Sequence, residues 1–452
     1  MSISKFNLFV ACIIFLILLT VFVFFSILSI SVKNIVVLFL SIFSLIMTVQ
    51  GIFTLVWMLY AWEDPALAKS HRSPVKFFTP KYTFTALIPA RHEEDVISET
   101  IEAVSKIDYP EDMKEVIVIC RADDTNTIKH VNKILKNTSI KNTKLIIFDG
   151  FPINKPHALN IGLNHSKNSV ITIFDAEDEP HPKIYNIINT VMQKKDADVI
   201  QSGVQLMNFQ SNWFSSLSVL EYFFWFKSAL HYFSGFGVTP LGGNTVFIKK
   251  KWLQLIGGWD ENCLTEDADV GIRLSVSGAK IEIIYDEQHV TKEETPPDTM
   301  SFIRQRTRWN QGFIQILLKG DWRNLPKLSQ QLIVVYILGW TVAESFLFIY
   351  IPVSLVMTFA FKLPVFVVLL SIIPALIFVL QMIVLNIGLY EFTKDFKLKY
   401  SVYYIFKLTM VFIPFQFALL FSASRAIIRM FTQNNNWEKT THVNAHRIAV
   451  KV

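Results

Sequence analysis

Between Phe174 and Pro182 the chain reads FDAEDEPHP, so that Asp175, Glu177 and Asp178 follow directly on the apolar stretch VITIF. Carboxylates one residue apart in an extended turn can converge on one cation, and hard divalent ions such as Mg²⁺ or Mn²⁺ take oxygen ligands. An acidic helix start capped by Asp178 has the same composition. Further on, LTEDADVGIRL offers Thr265 as a cap and crowds Glu266, Asp267 and Asp269 into a first helical turn. A carboxylate held there could take the proton of a hydroxyl nucleophile. In RQRTRWNQGF, Arg304 to Phe313, three guanidiniums fall within five residues. If this stretch is helical, Gln305, Arg308 and Trp309 share one face. Arg308 then presents a fork suited to phosphate, and Trp309 a flat plate on which a sugar ring can stack. An anchor at a membrane interface would use the same residue types.

Two smaller motifs accompany these. Lys155 opens the helical pattern KPHALNIGL, where free backbone N–H groups already favour an anion. Gly242 and Gly243, followed by Asn244, suit either a close approach of backbone to a bulky ligand or a plain tight turn.

These groups need a scaffold, and the alternation of patterns supplies one. TFTALIPA reads as a strand and RHEEDVISETIEAVSKI as its helix, with Arg91 at the strand end and Glu93 in the helix's first turn. VIVICRADD is a second strand running into Asp123 and Asp124, KLIIFDG a third ending at Asp149, and VITIFDAED a fourth. Strand–helix alternation predicts an α/β domain with a parallel, doubly wound sheet. Ligands of such sheets bind beyond the carboxyl ends of the strands, which is where the acids gather.

Charged residues make up only 18% of the 452, and mean hydropathy is positive, as expected when part of a chain lies in lipid. Uncharged runs cover 6–32 and 35–62, each longer than the roughly 20 residues that cross a bilayer core. Lys69, Arg72, Lys76 and Lys81 follow the second run, which predicts a cytoplasmic location for the long segment after it. Apolar texture returns over 332–361, interrupted by Glu344, and over 363–390. The last stretch, 401–424, has basic residues on both flanks and Pro414 in its middle, which favours a dipping helix pair broken at Pro414 over a fifth span. A net charge of +6 suits anionic lipid and does not call for nucleic acid. Cys12, Cys120 and Cys263 form neither a disulfide framework nor a thiolate metal site.

Taken in order, the acidic turn, Thr-Glu-Asp about ninety residues later and Gln-Arg-Thr-Arg-Trp about forty further on resemble the membrane-embedded family 2 glycosyltransferases. That group includes cellulose, hyaluronan, chitin and poly-N-acetylglucosamine synthases and ceramide glucosyltransferase. The resemblance implies a GT-A fold, a nucleotide-sugar donor (UDP-glucose or UDP-N-acetylglucosamine), Mg²⁺ or Mn²⁺, and inverting transfer to a growing glycan that is passed through the bacterial plasma membrane, with or without an export partner protein. The alternatives are transfer of one sugar to a lipid, as ceramide glucosyltransferase does, or a non-catalytic membrane subunit that kept the fold. It further implies Asp267 as general base and Asp175 with Glu177 as metal ligands, Asp178 sharing or taking the second place. Arg91, Glu93, either Asp123 or Asp124, Lys155, Gln305 and Arg308 would meet the donor, as would Trp437, Lys439 and Thr440 in the tail NNWEKTTH. Trp309, Gly243, Asn244 and Glu266 would meet the acceptor. The expected organisation is a transmembrane hairpin (1–62), a glycosyltransferase domain (63–300), interfacial helices (301–330), transmembrane and dipping helices (331–428) and a cytoplasmic tail (429–452).

Overall fold

The computed structural model describes residues 32–63, 70–137, 140–360, 364–438 and 445–449; the expected span over 6–32, apart from its last residue, and Lys439 and Thr440 lie outside the described residues. A seven-stranded sheet forms the centre, in the order β3-β2-β1-β4-β7-β5-β8. Its strands are β1 (Phe84–Ala90), β2 (Lys114–Arg121), β3 (Thr143–Phe148), β4 (Val170–Ile173), β5 (Val199–Ser202), β7 (Val246–Lys249) and β8 (Ile281–Ile284). A two-stranded parallel sheet joins β6 (Val204–Leu206) to β9 (Thr291–Glu293).

Strands β1 to β4 are mutually parallel and alternate with helices, as the pattern predicts. Strand β1 is buried on both faces, and its near-continuous apolar run suits a central parallel position. Pro89 is tolerated there because the β1–β4 ladder ends at Leu87, so the missing N–H removes no bond from it. Apolar side chains pack on both sheet faces, with Ile101, Val118 and Ile188 on one and Leu87, Leu159 and Trp259 on the other.

The sheet is mixed, not wholly parallel. Strand β7 runs antiparallel to both β4 and β5. Between β6 and β7 the chain makes a long helical excursion, Ser215–Phe224 to Leu230–Ser234, and returns at the carboxyl end of β4. Entering β7 from that end fixes its direction and sets Gly243 and Asn244 beside the acidic turn, Thr245 N donating to Ile173 O at 2.8 Å.

Among the described residues, four helices are long and apolar enough to cross a membrane: Asn34–Glu63, Leu328–Leu347, Val365–Asp395 and Tyr403–Phe431. Ile35, Phe39 and Ile46 of the first and Leu369, Leu376 and Ile383 of the third are exposed, as side chains that face lipid would be. The expected break at Pro414 does not occur. Tyr403–Phe431 is one 29-residue helix with Pro414 inside it. A proline deletes one backbone bond and bends a helix, and packing against the Thr299–Lys319 and Leu328–Ala360 helices is enough to carry the chain through. The sheet domain and these helices share a core, in which Leu220, Phe223 and Phe302 meet Met58, Phe392 and Phe415.

Candidate active site

A cavity of about 870 Å³ opens beyond the carboxyl ends of β1, β2 and β4. Most of the singled-out residues stand on its wall: Arg91, Glu93, Lys155, Asp175, Glu177, Gly243, Asn244, Glu266, Asp267, Gln305, Arg308, Trp309 and Trp437. Trp57, from the Val32–Glu63 helix, lines it too, so the cavity reaches the apolar helices.

The acidic turn leaves β4 at Asp175. Asp178 folds back, one carboxylate oxygen accepting from Asp175 N at 2.8 Å. Both its oxygens also accept from Asn244 Nδ2, at 2.8 and 3.0 Å. Fully buried and spent on the turn, Asp178 does not line the cavity. Burial, then Glu293, Asp175 and Glu177, push its carboxyl well above the usual range.

Glu293, which the sequence did not single out, completes the cluster. Asp175, Glu177 and Glu293 each offer an oxygen within 4.8 Å of the others. Strand β9 delivers Glu293, held beside the turn by the paired backbones of Glu179 and Lys292. At such spacing, each pair of carboxylates repels by roughly 4 kcal/mol even at an effective dielectric of 20. Three oxygen donors at this spacing fit a hard divalent cation, which would reverse the sign of that term. Asn244 Nδ2 donates to Glu293 Oε1 at 2.6 Å, so this amide organises the acids from behind.

Lys155 begins the Lys155–His165 helix, and its ammonium contacts Asp175 and donates to Gly243 O at 3.1 Å. Burial works against that charge, yet Asp175, Glu266 and Asp267 hold it firmly on the nitrogen. Gly243 serves here by its lack of a side chain. A Cβ would lie 3.1 Å from Asp267 Oδ2 and 3.4 Å from Lys155 Nζ, filling the gap between them.

Asp267 stands in the first turn of the Glu266–Val276 helix, its Oδ1 accepting from Ala268 N at 2.8 Å. Gly312 of the Thr299–Lys319 helix lets the two helices meet: a Cβ there would fall 2.3 Å from Thr265 Oγ1 and 2.7 Å from Thr265 N. Burial raises the Asp267 carboxyl, with Lys155 and Arg308 opposing, and burial with the Asp267 charge pushes Glu266 up to about 7. A base must be deprotonated to work, and because burial raises Asp267, the acid limb of the rate should lie above the usual carboxylate range. In Glu266→Gln one negative charge beside Asp267 is gone, and a pH–kcat profile should show the acid limb moved to lower pH.

The Thr299–Lys319 helix is capped by Asp298, which accepts from Ser301 N at 2.9 Å, and ends at Gly320. Gln305, Arg308 and Trp309 share its cavity face with Phe313. The Arg308 guanidinium lies 4.2 Å from the ring of Trp437, and burial disfavours its charge while Glu266, Asp267 and Asp175 support it. Trp309 stands between Arg306, 4.5 Å away, and Tyr222, at 6.3 Å. Trp437 is brought in by the tail, because Gln311 Nε2 donates to Asn434 O at 2.9 Å and Arg429 Nη2 to Asn436 O at 2.7 Å.

The acids after β2 sit differently. Asp124 caps the Thr125–Leu135 helix, accepting from Thr127 N at 3.3 Å and from His92 N at 2.6 Å, and faces inward. Asp123 pairs with Arg91 and Arg121 outside the cavity wall, and Arg121 itself lines the wall.

The profile of the family described as glycosyltransferase like family 2 matches residues 80–312. Among curated relatives, a beta-monoglucosyldiacylglycerol synthase of Nostoc sp. is 26% identical over 51% of this chain, and a poly-beta-1,6-N-acetyl-D-glucosamine synthase of Staphylococcus epidermidis is 24% identical over 69%. The match spans 48% of the first protein and 73% of the second. A mannosyltransferase of Pyrobaculum calidifontis, solved with GDP-mannose and Mn²⁺, superposes over 87% of this chain and 99% of its own with a TM-score of 0.58 at 15% identity. That likeness concerns the fold, which is GT-A.

Proposed function

Because the chain belongs to the family 2 glycosyltransferases, we propose that it is a membrane-embedded hexosyltransferase that extends a β-linked glycan from a UDP-sugar, UDP-glucose or UDP-N-acetylglucosamine, at the cytoplasmic membrane face. One observation carries the reading: the carboxylate cluster, Lys155, Arg308 and Asp267 face one cavity that also reaches Trp57 of an apolar helix.

In this reading Asp175, Glu177 and Glu293 hold Mg²⁺ or Mn²⁺, which when bound neutralises the donor diphosphate. Arg308 and Gln305 grip the phosphates from the facing helix, and Lys155 adds a positive charge near the leaving oxygen. Asp267 takes the proton of the acceptor hydroxyl as that oxygen attacks the anomeric carbon. The bond from carbon to the phosphate oxygen breaks, and the nucleoside diphosphate leaves with the pair. One displacement inverts the centre and gives a β linkage.

Trp309 would carry the acceptor sugar on its ring face. Trp309→Ala should therefore raise the acceptor KM about tenfold, the loss expected from removing a stacking plate of about 1–3 kcal/mol, with donor KM within about twofold of wild type. Steady-state kinetics with each substrate varied in turn would show it, and equal effects on both would return Trp309 to an anchoring role.

Beyond the cavity, polar groups continue between the apolar helices. Thr341 Oγ1 lies 3.2 Å from Asn310 Oδ1, Trp340 Nε1 donates to Glu344 Oε1 at 2.8 Å, and Thr54 Oγ1 lies 3.3 Å from Tyr336 Oη. We read this strip as the start of a product path through the membrane. The Nostoc relative favours a second reading, one sugar passed to a lipid such as diacylglycerol. Purified protein given a panel of radiolabelled UDP-sugars decides between them. A long, water-soluble polymer supports elongation; a single-sugar, chloroform-soluble product supports the lipid acceptor.

A further inference from the structure

We propose that Arg447, in the short Ala445–Ala449 helix, is a positioning residue for the carboxylate turn, so that the far end of the chain tunes the grip of the site on its cation. Its Nη2 donates to two consecutive backbone carbonyls of that turn, Glu177 O at 3.3 Å and Asp178 O at 3.1 Å. The same nitrogen donates to Thr100 Oγ1 at 3.0 Å, and Nη1 pairs with Glu99 Oε2 at 3.1 Å. The side chain is 17% exposed.

The turn is thus held from two sides. Inside, the Asp178 carboxylate ties it to Asp175 N and Asn244; outside, its carbonyls accept from a guanidinium supplied some 270 residues later. A planar guanidinium can address neighbouring acceptors at once in a set geometry, which an ammonium on a flexible stem cannot. Fixing these carbonyls fixes the backbone from which the Glu177 carboxylate projects, and with it the spacing of the cluster. The same tail touches the cluster a second time, since Ala445 N donates to the carboxylate of Glu294, the neighbour of Glu293. Ahead of that helix in the chain, Trp437 lies on Arg308, so described residues of the tail contact both the donor fork and the acidic turn.

The inference rests on the proposal that Asp175, Glu177 and Glu293 hold a divalent cation. It is tested on full-length protein in detergent with UDP present, by following free Mn²⁺ through its electron paramagnetic resonance signal, with the thermal unfolding midpoint recorded alongside. Arg447→Ala should weaken Mn²⁺ binding about tenfold, as loss of groups that orient metal ligands does, with the unfolding midpoint unchanged. Arg447→Lys should fall between the two. Glu99→Gln takes the charge from the outer anchor of the guanidinium, at an exposed position, and should weaken binding by a smaller factor, about threefold, even if Arg447→Ala proves insoluble. Wild-type Mn²⁺ affinity in both Arg447→Lys and Glu99→Gln overturns the proposal. Absence of Mn²⁺ binding by the wild type overturns the cation site itself.

Discussion

Asp267→Asn is expected to reduce kcat by about 10³-fold or more while leaving the affinity for UDP within about twofold of wild type. The substitution keeps shape and most hydrogen bonds, and Ala268 N still finds an oxygen to bond. What it deletes is a proton acceptor at the moment the acceptor hydroxyl becomes a nucleophile. Single-turnover transfer and calorimetric UDP titration on the same preparation separate the two effects. Loss of both together would make Asp267 a structural residue whose repulsion with Glu266 is balanced by Lys155 and Arg308.

Asp175→Asn should lower metal affinity about 100-fold or more, by removing a charged oxygen from a set of three. It also removes the partner of Lys155, whose ammonium would then face Gly243 O and the Glu266–Asp267 pair. Donor binding should follow the metal, so UDP affinity falls steeply at low Mn²⁺ and partly recovers at high Mn²⁺. Glu293→Gln should behave in the same way if its carboxylate is a ligand. A normal metal response in Glu293→Gln, with Asp175→Asn impaired, would leave Glu293 only the task of holding Asn244.

The two substitutions differ in how far the residue could be read in advance. Asp267 and Asp175 each announce themselves by neighbours in sequence, a capped acidic helix start and an acidic turn straight after a buried strand. Glu293 has no such company. TKEETPP looks like any charged loop, and its meaning appears only when β9 pairs alongside Glu179. Asn244 was legible as part of a glycine-flanked approach to ligand, whereas its amide turns toward Asp178 and Glu293. The acids after β2 show the converse. CRADD offers two acids for a ligand contact; in the fold Asp124 also answers the unsatisfied N–H groups of the next helix, a local demand that composition shares with a binding site.

Chain-local physics settled the parts whose cause is local. Alternating apolar periods set the strand and helix order from β1 to β4. The uncharged runs over 35–62 and 363–390 became long apolar helices. The i, i+3, i+4 spacing put Gln305, Arg308 and Trp309 on one face. Direction and distance between remote segments were decided by folding: the reversed course of β7, the passage of one helix through Pro414, the arrival of Glu293 at the acidic turn and the return of Arg447 to its carbonyls. Each depends on which surfaces find one another across tens to hundreds of residues. Hydrogen-bond pairing and close packing select that match, and no short window of residues contains it.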